Sequence, residues 1–378
     1  MGASPTIWVR RKTEKRGTFM NIKKLVLALI AAAFMVSVAD AQTARRAGMD
    51  GNPLIEDHDD VYIYPQKAQS KYNQNRVKFD MDAAGNNSGT LFSGNGDAAW
   101  GVAINKIGDD AVSDGTYREA VQTFDAFWST KSGGADMGLR VGLASGSESA
   151  GDAESSNMDI NLAAGYSRDT DSASHDIALN VDYGMGEIKD NVEGSGLGLG
   201  VNYRGYLKNK AGNNVDLGIV ANLGMGSSTD TPEGSDDVEN SSLGGAVGTG
   251  PVFRAGASTV ALLAGVGYFS NTDAGDNENV AIFLPGVNVA FESPMNDWMT
   301  FRGGIGYTKA LTTSTPDMGD ESTDTNGGTT YALGLSAKWE KLTFDVALNR
   351  DFLINGPHVL TGTPTANWAS QASATFEW

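Results

Sequence analysis

No cysteine occurs among the 378 residues, which excludes both a disulfide framework and thiolate chemistry. Histidine is nearly as scarce: His58, His175 and His358 are the only three. None has an i,i+4 partner or the companion ligands of a zinc site, so no metal is expected. His175 and Asp176 are adjacent, and neighbours on a strand face opposite sides, which makes them a poor base and orienter. Neither an enzyme nor a cofactor is expected. Basic residues are also few, 28 Lys+Arg against 46 Asp+Glu. Residues 1–41 hold seven of the basic residues and two of the acidic ones, leaving 21 against 44 beyond them, a balance of −23. Nucleic acid demands a basic face and is excluded as a partner, and so is peripheral attachment to anionic lipid through a basic patch. Proline is low at 10 while glycine is high at 48, so the chain is neither collagen-like nor a proline-rich linker. Beyond residue 41 no apolar run is long enough for a spanning helix. Any membrane crossing must be made by strands.

The first 41 residues read as an address. Met20 to Lys24 supplies a positive start, Leu25 to Val38 an apolar core, and Ala39-Asp-Ala41 a small-x-small cleavage pattern before Gln42. Met1 to Phe19 then reads as an upstream extension. A polar leader follows, residues 42–75, expected to be periplasmic or inserted in a lumen. Its one strand-like piece is Val61 to Tyr64, cut off by Pro65. Asp57, Asp59 and Asp60 lack the fixed spacing and distal Glu of an EF-hand loop, and read as a solvated acidic turn.

From Arg76 onward the chain alternates with period two. Ile177, Leu179, Val181, Tyr183 and Met185 interleave with Asp176, Ala178, Asn180, Asp182 and Gly184. Leu342, Phe344, Val346 and Leu348 interleave with Thr343, Asp345, Ala347 and Asn349 in the same way. The clearest such segments are 158–168, 176–185, 196–206, 214–225, 259–269, 299–311, 330–339 and 342–350. Weaker ones are 76–82, 90–93, 98–106, 122–129, 136–144, 243–254 and 280–292, and the chain closes on a strand over 369–378. The expectation is an all-β, closed antiparallel transmembrane barrel over 76–378 with about sixteen strands, fourteen being the alternative.

The connections sort by length. Short ones at 130–134, 169–172, 207–213, 255–258, 293–297 and 340–341 take turns with long ones at 107–120, 145–157, 186–195, 226–242, 270–279, 312–329 and 351–368. A transmembrane barrel has short periplasmic turns and long external loops. Under that topology Trp100, Trp128, Trp339 and Trp378 fall near the periplasmic strand ends with the parity of the lipid-facing set, and Tyr183, Tyr268, Tyr307 and Tyr331 near the outer ends. Trp298 has the opposite parity and reads as pointing inward unless a bulge intervenes.

The closing strand carries Phe376 and ends on Trp378. In this it resembles bacterial outer-membrane β-barrels, whose last strand ends in an aromatic residue that carries the assembly signal. The resemblance implies an outer-membrane location, lipid and lipopolysaccharide as surroundings, and the barrel-assembly machinery as a partner. Homo-oligomerisation is compatible with it.

The inner-parity set is polar: Arg140, Asp159, Asp182, Arg204, Asp216, Arg302, Lys338 and Asp345 are the expected pore-lining charges. Three functions follow. The first resembles general diffusion porins, a passive channel for small polar or ionic solutes, with cation preference from acidic external loops that include Glu148, Asp152, Glu154, Asp230, Glu233 and Asp236. The second resembles the long-chain fatty-acid channels, ligand-specific transporters with an N-terminal hatch, here Asp50 to Pro65. The third is a structural or adhesive barrel acting through its loops.

Overall fold

The computed structural model describes residues 44–70, 75–82, 87–104, 122–150, 153–188, 192–209, 214–232, 237–272, 277–315, 321–348 and 369–378. The signal segment and upstream extension (1–41), the connections 105–121 and 349–368, and the loop acids Asp152, Glu233 and Asp236 lie outside them.

Sixteen antiparallel strands close into one barrel. They are β1 (Arg76–Asp82), β2 (Asn87–Gly94), β3 (Ala98–Ile104), β4 (Gln122–Ser132), β5 (Ala135–Ala150), β6 (Ala153–Asp169), β7 (Ala173–Ile188) and β8 (Val192–Leu207). The circuit continues with β9 (Val215–Pro232), β10 (Val238–Ala255), β11 (Ser258–Thr272), β12 (Glu278–Pro294), β13 (Met299–Thr315), β14 (Ser322–Trp339), β15 (Leu342–Leu348) and β16 (Ala369–Glu377). Each strand pairs with its sequence neighbours, and β16 pairs with both β15 and β1, bringing Val77 opposite Phe376. The Trp378 N–H donates to the carbonyl of Asn75 at 3.1 Å, extending the closing ladder by one residue. No sheet edge remains, as a bilayer requires.

Alternation follows the barrel wall. On β7 the apolar residues Ile177, Leu179, Val181, Tyr183 and Met185 are exposed on the outside, while Asp176 and Ala178 are buried inside. Trp100, Trp128, Trp339 and Trp378 are exposed near the short turns, and Tyr183, Tyr268 and Tyr307 are exposed toward the other end. Tyr331 is half-buried.

Two expectations about the wall are corrected. The connections read as long at 145–157, 186–195, 226–242, 270–279 and 312–329 are largely strand: β5 and β6 stay paired out to Ala150 opposite Ala153, and β7 and β8 to Ile188 opposite Val192. Their sequences are polar or small on both faces, so hydrophobic alternation stops where the apolar band stops, although backbone pairing continues. Trp298 lies in the turn before β13, outside the period-two ladder, and is 55% exposed. The Asn296 side-chain oxygen accepts the N–H groups of Trp298 and Met299 there, so strand parity does not govern its direction.

The leader is also corrected. Val61 to Tyr64 is not a strand. Asp60–Ile63 forms a helical turn, followed by a 3-10 turn over Pro65–Gln69, with a further helical turn at Ala44–Ala47. A strand here would need a partner edge, and the closed wall offers none. The helical turn satisfies its own backbone, with Tyr62 N–H on Asp59 O at 3.0 Å and Tyr64 N–H on Asp60 O at 2.6 Å.

Candidate functional site

Residues 44–70 are packed across the lumen and touch every strand. Asp59 reaches Lys78 of β1 at 3.4 Å. Val61, Tyr62 and Ala68 form a buried cluster with Phe92, Ala99, Ala103 and Phe127 of β2 to β4. Arg140 of β5 donates to the Tyr62 carbonyl at 3.0 Å, and Gln66 donates to Ser167 of β6 at 2.9 Å. Lys67 pairs with Asp176 of β7 at 2.8 Å, and Asp60 with Arg204 of β8 at 2.8 Å. Leu54 lies on Gly218 of β9, and Met49, Leu54 and Ile55 cluster with Val252 of β10 and Ala261 of β11. Arg45 pairs with Glu292 of β12 at 2.8 Å, Met49 lies on Gly304 of β13, and Gly48 lies on Gly334 of β14. The Ala44–Ala47 turn packs against β15 and β16 as well.

Glycine makes part of this approach. A Cβ on Gly334 would stand 3.0 Å from the Cα of Gly48, and one on Gly138 would collide with the backbone of Gln66. Larger inward residues at these positions would push the segment off the wall.

Charge does the rest, in three linked groups. Arg45 binds both Asp57 at 2.9 Å and Glu292, Arg302 binds the same Glu292 at 2.5 Å, and Arg302 also binds Asp345 at 2.7 Å. This runs from the plug through β12 and β13 to β15. Opposite it, Asp176 takes both Lys67 and Arg204 (3.0 Å), while Asp60 takes Arg204 and Arg46 (3.4 Å). The Arg204 guanidinium also lies 4.9 Å above the Tyr64 ring. Lys78 joins Asp59 to Asp80 as the third group. Burial pushes the Asp57 carboxyl up, but the Arg45, Lys78 and Arg46 cations more than reverse this and hold it at about 2. Burial likewise depresses the Lys67 ammonium, and Asp176 and Glu56 raise it above the usual lysine range. The acidic turn read as solvated is therefore buried and ion-paired: Asp57, Asp59 and Asp60 are each 1–2% exposed. No group of metal-ligand type is found among the described residues.

The expected pore-lining residues divide. Arg140, Arg204, Arg302 and Asp345 face inward, but against the plug and its ion pairs; Arg140 also binds Asp125 at 2.7 Å. Asp216 is paired with Arg254 near the short-turn end, and Lys338 is exposed at the end of β14. Asp159, half-buried, and Asp182, exposed and bonded to Asn161, lie farther toward the long-loop end. Phe376 is 43% exposed on the outer face, and Trp378 is 49% exposed. The signal that could have revealed the plug was present in the strands: Lys78, Arg140, Arg204 and Arg302 are inner-parity cations near short turns, facing a leader rich in Asp.

One plug carboxylate differs. Asp50 has left-handed backbone, φ +54. Its Oδ2 accepts from Thr330 Oγ1 at 2.6 Å and Asn288 Nδ2 at 3.0 Å, and it sits over Gly306. Thr330 is the plug-bonded wall residue farthest along its strand from the short turns. Burial pushes the Asp50 carboxyl above its ordinary range, against these two hydrogen bonds.

No protein-family model and no curated protein matches the chain. Among solved structures, it is similar to the FrpB iron transporter from Neisseria meningitidis (F3-3 variant) at 10% identity and TM-score 0.45, covering 75% of this chain and 62% of that one. It is similar to CdiB from Escherichia coli at 11% and 0.43, covering 80% and 62%. It is also similar to the Pseudomonas putida toluene transporter TodX at 9% and 0.40, covering 88% and 95%. The chain thus spans 62% of the length of the first of these. The architecture itself is a closed antiparallel barrel of sixteen strands.

Proposed function

We propose that the chain is an outer-membrane channel for small polar or cationic solutes, closed at rest by its own residues 44–70. The observation that supports it most is the plug's contact with all sixteen strands, reinforced by buried ion pairs to β1, β7, β8 and β12. An open porin would leave those wall cations facing water. A fatty-acid-type cavity would be lined by apolar side chains, whereas beyond the plug the inner wall carries Asp159, Asn161, Asn180 and Asp182. The outer face supports a lipid surround: Leu139 at 50%, Leu179 at 54% and Val247 at 52% would otherwise form a broad apolar belt in water. Lipopolysaccharide and the barrel-assembly machinery are the implied partners, and passage requires no catalytic group.

Planar-bilayer conductance tests the reading. The chain from Gln42 is expected to conduct little, and the same chain lacking residues 44–70 to open a pore of porin size. Heat-modifiable mobility checks that both have folded. Equal conductance would show that the plug is not the barrier; a folded, silent deletion would make the barrel structural.

A further inference from the structure

Asp50 stands apart from every other charge in the plug. Arg45, Arg46, Glu56, Asp57, Asp59, Asp60 and Lys67 each have an ion pair. Asp50 has neutral donors only, both on Oδ2, and among the described residues its Oδ1 has no partner. Asp50 is half-buried. Its backbone is held at positive φ, followed by Gly51 at φ +67, a conformation that disfavours most side chains but tolerates Asp and Asn. The carboxylate lies at the plug's contact farthest from the short turns, beside Thr330, Asn288 and Gly306.

We propose that Asp50 is the docking carboxylate for a cation at the floor of the vestibule, with Oδ2 anchored by Thr330 and Asn288 and Oδ1 presented to the incoming charge. Asn288 also bonds Asn52 and the Asp50 carbonyl, so a cation seated on Asp50 bears on the turn that leads to Leu54 and the wall cluster. The shared chemistry is a positive charge, carried by a metal ion or by an organic ammonium group. The inference rests on the solute-channel reading for its purpose, but binding itself is measurable without conductance.

Isothermal titration of the refolded chain from Gln42, in buffer already containing sodium in excess of the amount added with acetate, uses four probes: calcium chloride, ethanolammonium, glycerol and sodium acetate. At least one cation should bind, glycerol and acetate should not, and Asp50→Asn should weaken the cation about tenfold or more, as expected for loss of a charged partner. Asn keeps the left-handed backbone and a hydrogen-bonding oxygen; Asp50→Gly keeps the backbone without the side chain and should lose binding equally. Heat release with calcium or with ethanolammonium then identifies the source of the charge. Unchanged binding in both variants, binding of acetate or glycerol as strong as that of the cations, or no cation binding would each overturn the proposal. A barrel that binds through Asp50 yet never conducts would overturn the channel reading alone.

Discussion

Ala178 and Asn180 are successive inward residues of β7, two positions apart on one strand face, yet their surroundings differ completely. Ala178 is 0% exposed in a cluster with Ile63 and Tyr64, while Asn180 is half-buried beyond the plug. The boundary of the plug's packed cluster falls between them. Below it, charges are abundant because each has an opposite charge within reach, Arg204 with Asp60 and Asp176, Arg302 with Glu292 and Asp345. Above it, Asp182 is bonded by Asn161 and lies beside Gly198, and Asp159 lies beside Gly184. The same inward-polar pattern thus builds two different things, a charge-locked seat and a polar vestibule. What separates them is the presence of the leader, since the strands themselves are continuous.

The comparison breaks most sharply at Arg204. Arg204→Ala leaves Asp60 and Asp176 buried with reduced compensation, and loss of one partner of a buried pair costs ~3–5 kcal/mol. The plug should loosen: trypsin should cut within residues 44–70, and single-channel conductance should rise toward that of the plug deletion. Protection equal to the parent chain would mean that the ion pairs do not hold the plug.

Arginine scanning across the boundary sharpens it. Leu179→Arg places a charge on the lipid face and is expected to cost ~2–4 kcal/mol near the midplane, read as reduced folding yield into vesicles. Ala178→Arg should fold into vesicles but expel the plug, because overpacking a filled site costs ~1–3 kcal/mol and the site has no free carboxylate to meet the charge. Asn180→Arg should do neither. Equal effects at all three positions would remove the boundary.

Acid provides a milder test of the lower half. The Asp57 carboxyl is depressed from its ordinary value of 3.8 to about 2 in the docked plug, and Glu56 is also below its ordinary range, where burial is outweighed chiefly by Lys67. A depressed carboxylate adds stability that is fully present above its free pKa and is lost as pH falls through its docked pKa. Conductance should therefore rise between about pH 4 and pH 2. Lys67, raised above its ordinary range, has the opposite sign: its contribution is complete below about pH 10 and fades above it. Closed-state conductance should be lowest between these limits.

Much of the wall was readable in the sequence. Side-chain period gave the number and order of strands, which the closed barrel bears out. Strand ends beyond the apolar band were not readable, because Ser145 to Ser147 and Ser227 to Thr229 carry no contrast between faces. The plug was visible only as a polar leader. Its helical turns are a few residues long, too short for a 3.6-residue period to register, and its fold depends on partners far away in sequence, such as Arg45 with Glu292. The parity of Arg140, Arg204 and Arg302 placed them inside, but inside a plugged barrel means facing another part of the chain.

The smallest expected effect belongs to the upper half. Asp159 and Asp182 line the vestibule, and Asp230 and Glu239 lie near its long-loop end, with Asp230 over Gly194. Exposed charges of one sign set up a potential that concentrates counter-ions over a Debye length, ~30 Å at 0.01 M salt but only ~3 Å at 1 M. The wall arginines do not oppose this field strongly, since Arg140, Arg204 and Arg302 are each neutralised by a carboxylate below the boundary. Reversal potentials across the plug-deleted barrel in asymmetric salt should therefore show cation preference at low ionic strength that fades as salt rises. Removing the plug would also bare those arginines, so the measurement needs its counterpart: Asp159→Asn with Asp182→Asn in the same background should lower the low-salt preference by about twofold and leave the high-salt value unchanged. Folding stability should move by no more than ~0.5 kcal/mol, as for surface substitutions away from packed features. Anion preference independent of salt would mean that the unmasked arginines govern the open lumen, and that the vestibule carboxylates only keep its wall hydrated.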